Sequence, residues 1–547
     1  MTLQRRIFVL GLWALLLGGS SSVAQKHGTQ NEKLGTVHFA TSCDPAAQKP
    51  FDRAVALLHS FQFSRAIDGF NAALKADSSC AIAYWGIALS QWTNPFALGP
   101  KDPAQLEAGR QAAGRGLATE AKTERESLYV KAVSRLYADF EKMPQRARLL
   151  AYRDAMADLA ARYPHDAEAS IFYALALAAS EEPTDKTYAS RLKAGAILEA
   201  LFAKEPEHPG LAHYIIHTYD VPPLAGRALQ AAQQYSKIAP DAPHALHMPS
   251  HTFTRIGYWQ DSIDSNLAAA AAARREGQTA EELHALDYQT YAYLQTGQDE
   301  AARRLVESLP EIASRFNPEV VVSGAASPSA GYFALAAIPA RYALERGDWK
   351  AAAKLEVRET SVPYTEAMTY FARGMAAAHL RDSQTALASQ EALTQIHDRL
   401  AQAMEAYWAQ QVDIQRREVS AWLALAEGHT DDALREMKAA ADLEDGTEKS
   451  AVTPGPLAPA RELLGEMLLQ VNQPTQALEQ FEGTLKREPN RFRALYGAAR
   501  AAHIKGDQAL SHKYFRELLV VCERADKPGR KEIVETREEL AEARVSQ

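Results

Sequence analysis

The sequence predicts an all-α protein, a solenoid of stacked helical hairpins, on three observations. Alanine is abundant, leucine, glutamate, glutamine and arginine are common, and β-branched runs are scarce, a composition that favours helix. Gly465, Ala477, Phe481 and Pro489 stand 12, 4 and 8 residues apart. That order of small, small, aromatic and proline recurs along the chain at a period of about 34 residues, the signature of a helical repeat. Each place has a cause. The small residues let two helices approach closely, the aromatic fills the gap between hairpins, and proline ends a helix because it cannot continue one. Repeats that contact only their neighbours also explain how 547 residues need not split into separate globular domains.

Taken in order, residues 1–24 read as a signal peptide. Arg5 and Arg6 supply the positive start, Ile7 to Gly19 an apolar stretch of 13 residues, and Ser22-Val23-Ala24 a small-x-small cleavage site. The protein is therefore expected to be exported, to a periplasm or secreted. The apolar stretch is short for a membrane span, and no later run of about 18 apolar residues exists to provide one. The formal net charge is −8, and two cations leave with the leader, which argues against a nucleic-acid or anionic-membrane partner. Residues 25–45 read as an N-terminal segment, 46–444 as the main array, 445–459 as a loop or linker, and 460–547 as C-terminal repeats. Cys43 and Cys80 would meet an oxidising compartment and either form a disulfide or remain two buried thiols; Cys522 is the odd one left.

The repeat skeleton is first visible at Ala66, Phe70 and Ala73, followed by Tyr84-Trp85-Gly86 on the next helix. Ala228 with Pro240 marks a further unit. Gly257-Tyr258-Trp259, Gly297 with Ala302, and Gly347-Asp348-Trp349 mark successive turns, and Gly374 with Ala386 and Gly428 with Ala433 and Ala440 continue the series. This amounts to ten to twelve hairpins, interrupted at Asn317–Ser329 and Asp445–Pro459, both rich in Gly, Pro and Ser. The skeleton resembles the tetratricopeptide-repeat superfamily over most of the chain. The stretches His38-Phe39, Cys43, Ala83 to Ala88 and His244 to His251 are similar to a group of exported bacterial repeat proteins. That resemblance implies a right-handed superhelical solenoid and a binding role, and no reaction.

Histidine is unevenly placed: seven of the 16 lie between His208 and His284. His213 and His217 are four apart, as are His247 and His251, and the second pair follows the first by 34 residues. Residues four apart share a helix face, and residues one repeat apart occupy equivalent places on adjacent hairpins. In the tetratricopeptide resemblance these places face the concave groove, together with Asp220, His244, His284, Asp287 and Tyr291. Imidazoles and a carboxylate suit zinc, copper, nickel or iron. Two readings follow. In the first, the chain is a scaffold that holds a protein or peptide segment in its groove around 208–291, with His244, His284 and Tyr291 touching the partner. In the second, it is a metal-binding protein or a metal-dependent enzyme that holds a transition metal such as zinc through His213, His217, His247 and His251 with Asp220 or Asp287. Pro249 between His247 and His251 predicts either a kinked helix or one that starts near Met248, which would part the pair; Pro339 at the same place of a later unit favours the kink. No His-Glu-x-x-His, Gly-x-Ser-x-Gly or phosphate-cradling loop occurs, so no catalytic residue is singled out.

Overall fold

Small residues bring the helices together where the repeat skeleton puts them. A Cβ on Gly86 would lie 2.3 Å from the Phe70 ring, and Cβ atoms on Gly465 and Gly497 would lie 2.9 and 2.4 Å from Phe481. One aromatic thus fills the notch between three helices, as the order of small residues and aromatic in the repeat requires. The computed structural model describes residues 32–97, 99–182, 184–320 and 324–545; the leader read at residues 1–24 lies outside them. Among the described residues there are 26 α-helical segments and no strand, and no helix is long and apolar enough to cross a membrane. The turns at Gly257, Gly297 and Gly347 have φ of 72, 68 and 61°. That left-handed conformation lets the next amide reach back to cap the helix: Tyr258 N–H to Phe253 O at 2.8 Å, Gln298 to Tyr293 O at 2.9 Å, and Asp348 to Ala343 O at 2.9 Å.

Residues 33–547 form one unit, and each helix packs on the next along the chain. The first helices of successive hairpins also touch in series: Thr279–Gln295, Pro328–Glu345, Pro363–Leu380, Ala406–Ala426, Ala460–Gln470 and Phe492–Lys505. The last of these meets the first, and Pro45–His59 likewise meets Pro209–Thr218. The array therefore curls until distant repeats touch. Polar groups seal the contact. Trp259 Nε1–H donates to Asn490 O at 2.8 Å, and the buried Arg491 donates to Tyr291 Oη, Glu345 and Glu462 at 2.7 to 2.9 Å. Arg530 grips Asp299 at 2.6 Å and Leu294 O at 2.9 Å.

Two segments differ from the sequence-based expectation. The Asn317–Ser329 interruption ends earlier, because the helix Pro328–Glu345 already includes its last two residues. Residues 446–459 are a loop, the helix Thr430–Asp445 taking the first residue of the expected linker, but they do not divide two arrays. The loop runs through the hollow of the curl, with Thr447, Glu448, Ser450 and Thr453 buried. Lys186 and Tyr188 hold Glu448 at 2.6 and 2.7 Å. Tyr407 Oη accepts from Ser450 N–H at 2.7 Å, and Tyr288 Oη donates to the Thr453 carbonyl at 3.0 Å. Arg341 donates to Thr453, Gly455 and Pro456 at 2.7 to 2.8 Å. A polar loop can lie inside because its backbone groups find partners there. The N-terminal segment is also part of the fold. Thr36 N–H donates to Glu207 O at 2.9 Å, Phe39 packs against Phe51, Trp85 and Tyr129, and Cys43 and Cys80 are bonded to one another.

Candidate metal centre

The helix Pro209–Thr218 carries His213 and His217 on one face, with ring centroids 4.9 Å apart. Pro249 breaks the following helix into Pro243–His247 and Pro249–Arg255, yet Met248 between them keeps helical angles, φ −54° and ψ −35°. The helix kinks rather than restarts, so His247 and His251 stay paired, with ring centroids 5.0 Å apart. Thr279–Gln295 supplies His284 from the next hairpin. The structure sorts six histidines into two groups of three, His213, His217 and His244, and His247, His251 and His284. Within each group the candidate ligand nitrogens lie within 4.8 Å of one another. The groups abut, with His217 to His251 at 5.7 Å and His244 to His247 at 5.9 Å between centroids.

All six rings are buried. Phe61 packs edge-on against His213 at 4.4 Å, and Phe96 stacks on His217 at 4.4 Å. Burial, reinforced by neighbouring imidazoles, pushes His213, His217 and His247 well below the ordinary histidine range and His284 down to about 3. Burial likewise brings His251 down to about 4, against the opposing pull of Asp220. These five rings are therefore neutral at pH 7, the form in which imidazole is a metal ligand.

Fixed partners decide which nitrogen carries the proton. Asn266 Nδ2 donates to the Ser262 carbonyl at 2.7 Å, so its Oδ1 is the atom facing His247 Nδ1, at 2.7 Å. His247 Nδ1 must then be the donor. His251 Nδ1 lies 3.0 Å from Asp220 Oδ2. Burial alone would raise Asp220, but Lys449, Arg255 and His251 outweigh it and hold the carboxyl well below its usual range, so Asp220 only accepts. His213 Nδ1 donates to the His59 carbonyl at 2.6 Å. Three rings thus present Nε2 as a lone pair. His213 Nε2, His217 Nε2, both nitrogens of His244 and His284 Nδ1 are buried without a hydrogen-bond partner, although such groups normally find one. Glu281 Oε2 stands 3.7 Å from His244 Nδ1, near enough for attraction but not for a hydrogen bond.

The residues singled out in the sequence have separate fates. His213, His217, His247 and His251 do converge. His244 and His284, assigned above to a partner, instead complete the two groups. Asp220 sits behind His251 and also binds Arg255 at 2.8 Å and Lys449 at 3.2 Å. Asp287 is elsewhere, paired with Arg341 at 2.8 Å in a buried layer. Tyr291 is also removed from partner contact. It is buried, donating to Glu488 at 2.7 Å and accepting from Arg491. Both departures follow from the curl, which brings Arg341 and the last repeats onto that helix. Sequence reasoning missed Asn266, Arg255, Tyr288 and Lys449. Arg255 continues the four-residue spacing of His247 and His251, which was a usable signal. Lys449 lies in the segment read as a linker, and nothing local marks it. A third group, His59, Glu168 and His208, is also buried. Its carboxylate accepts from both imidazoles at 2.9 and 3.1 Å and its remaining ring nitrogens have partners, so it reads as a satisfied packing clamp.

No family profile matches the chain, and no curated protein is similar to it. Among solved structures, the human IFIT1 dimer with m7Gppp-AAAA is 10% identical over 88% of this chain and 96% of its own, with a TM-score of 0.37. Yeast Tom70 is 11% identical over 91% and 96%, with a TM-score of 0.27. The P58(IPK) TPR domain is 15% identical over 69% and 99%, with a TM-score of 0.21. Likenesses this loose say nothing of what this chain binds.

Proposed function

We propose that this protein is an exported metal-binding protein whose two three-histidine groups each hold a transition-metal ion. The observation that carries the reading is the pair His247 Nε2 and His251 Nε2, 3.1 Å apart. Both rings have their Nδ1 proton committed elsewhere, so two lone pairs face each other with no hydrogen between them. A cation shared by both removes the repulsion. With metal–nitrogen bonds of about 2.0–2.1 Å, adjacent ligands are separated by roughly 2.9 Å in octahedral and 3.4 Å in tetrahedral geometry, and the observed distance lies between. Hydrogen bonds from Nδ1–H to Asn266, to Asp220 and to a backbone carbonyl are the outer contacts that orient metal-binding imidazoles. An all-imidazole donor set suits zinc, copper, nickel or iron and not the oxygen-seeking calcium or magnesium. The Cys43–Cys80 bond suits the oxidising compartment that the leader predicts.

Elemental analysis of untagged protein, purified and then incubated with zinc or copper and desalted, tests the reading. Up to two ions per chain are expected, with loss of one in His213→Ala/His217→Ala and of the other in His247→Ala/His251→Ala. Retention of no transition metal by the unaltered protein refutes it.

Stacked helical hairpins are also a scaffold for protein or peptide binding. A segment directed to 208–291 must first displace residues 447–456, which occupy that hollow. A pull-down that is insensitive to chelator and strengthened by deleting those residues would favour that role.

A further inference from the structure

The histidines are buried but not sealed. His217 and His244 of one group and His251 and His284 of the other line a single small cavity of about 50 Å³. Its remaining wall includes Asn94, Ala97, Ser327, Tyr364 and Trp408, and these same residues line an outer recess of about 460 Å³ that continues to Thr93, Ser361 and Glu405. The two spaces share these lining residues and so lie side by side. Where they adjoin, Tyr364 stacks on Trp408 with centroids 3.7 Å apart and planes 8° apart.

We infer that the two metal sites are open to small molecules: each ion keeps a coordination position facing this shared cavity, and a small ligand with an oxygen or nitrogen donor enters past Ala97 and Ser327 to occupy it. The inference rests on the metal reading above and goes further. A purely structural site is closed by four protein ligands, whereas a reactive one has three and leaves a position for water or substrate. Here each group offers three imidazoles, and two of each three line the same space. Two ions with open positions on one cavity are the arrangement in which a single small ligand can be bound or bridged between them. The polar atoms at the mouth, Asn94 and Ser327, suit a small polar ligand rather than a lipid or a folded partner.

The test uses the full chain loaded with copper(II) and azide as the probe. Metal content is measured first, so that failure of the metal reading is distinguishable from failure of this one. With copper in place, azide is expected to produce a saturable ligand-to-metal absorption band. Ala97→Phe and Ser327→Phe, made separately, narrow this way in at two points on different segments. Each is expected to retain copper at the unaltered ratio and to weaken or slow azide binding about tenfold or more. Copper bound at full ratio with no azide band overturns the inference, as does an azide response unchanged in both variants. A response lost in either variant at full copper content supports it.

Discussion

Replacing Asn266 by Leu removes one hydrogen-bond acceptor from behind the centre and leaves every candidate ligand in place. Asn266 Oδ1 holds the His247 Nδ1 proton at 2.7 Å, and Nδ2 is anchored to the Ser262 carbonyl. Leucine is close to asparagine in size and offers neither group. The His247 proton is then free to move to Nε2, where His251 Nε2 waits 3.1 Å away. An N–H···N hydrogen bond forms between the two rings and consumes both lone pairs that a metal would use. Loss of such an outer contact costs about 10–100-fold in metal affinity, equivalent to roughly 1.4–2.8 kcal/mol. The new ring–ring bond offsets the metal-free protein by about 0.5–1.5 kcal/mol, so the apo form should be less destabilised than the loaded one. Competition with a chromophoric chelator measures affinity, and thermal melts with and without metal measure the two stabilities. Asn266→Asp is the companion, since a carboxylate restores the acceptor and should return affinity to the unaltered level or above. Affinity within twofold of the unaltered protein in Asn266→Leu would refute the proton assignment on which the metal reading depends.

Three further outcomes are expected. Glu418 is buried with Oε1 unpartnered, and burial with Glu444 nearby raises its carboxyl well above the usual range; Glu444 itself is brought up to about 8 by burial and by Glu488. Raised carboxyls contribute stability at low pH that is lost as pH rises toward 8. Glu418→Gln should therefore gain about 1–3 kcal/mol over the unaltered chain at pH 8 and little at pH 5, measured by urea unfolding, and an equal effect at both pH values would contradict this. Arg341→Met strands the buried Asp287 and frees residues 453–456, at a cost of about 3–5 kcal/mol, and limited proteolysis should then cut within 445–459. Cleavage at the unaltered rate would show that the loop is held by other contacts. Cys43→Ser with Cys80→Ser opens a link spanning 37 residues, worth about 4 kcal/mol by chain entropy, visible as earlier unfolding of the first hairpins under non-reducing conditions.

The chemistry of the site was partly legible because its strongest signals are periodic. His213 and His217, and His247 and His251, share faces through the helical repeat, and the 34-residue offset carries one pair onto the next hairpin. Each depends on local geometry that the chain carries in its spacing. Pro249 was legible as a kink for the same reason. Asn266 was not, because its contact with His247 is made by the neighbouring helix across a packed interface, and an asparagine in a polar helical stretch looks like any solvated residue until that interface exists. Asp287 and Tyr291 were misplaced because their repeat positions are groove-facing in an open ribbon, whereas here Arg341, Glu488 and Arg491 come to meet them.

By itself the sequence determined the helices, the hairpins and their order, since propensity, small-residue placement and capping glycines act within one repeat and its neighbour. It also determined that imidazoles would gather on one side of three consecutive helices. Only the tertiary structure decided how tightly the array curls, that residues 446–459 run through its hollow, and that His244 and His284 complete two triads while Asp287 and Tyr291 are drawn off into ion-paired layers. The reason is one of range. Small angular offsets between successive hairpins accumulate over the whole array, and the contacts that set the result join residues some two hundred positions apart, where no local pattern records them.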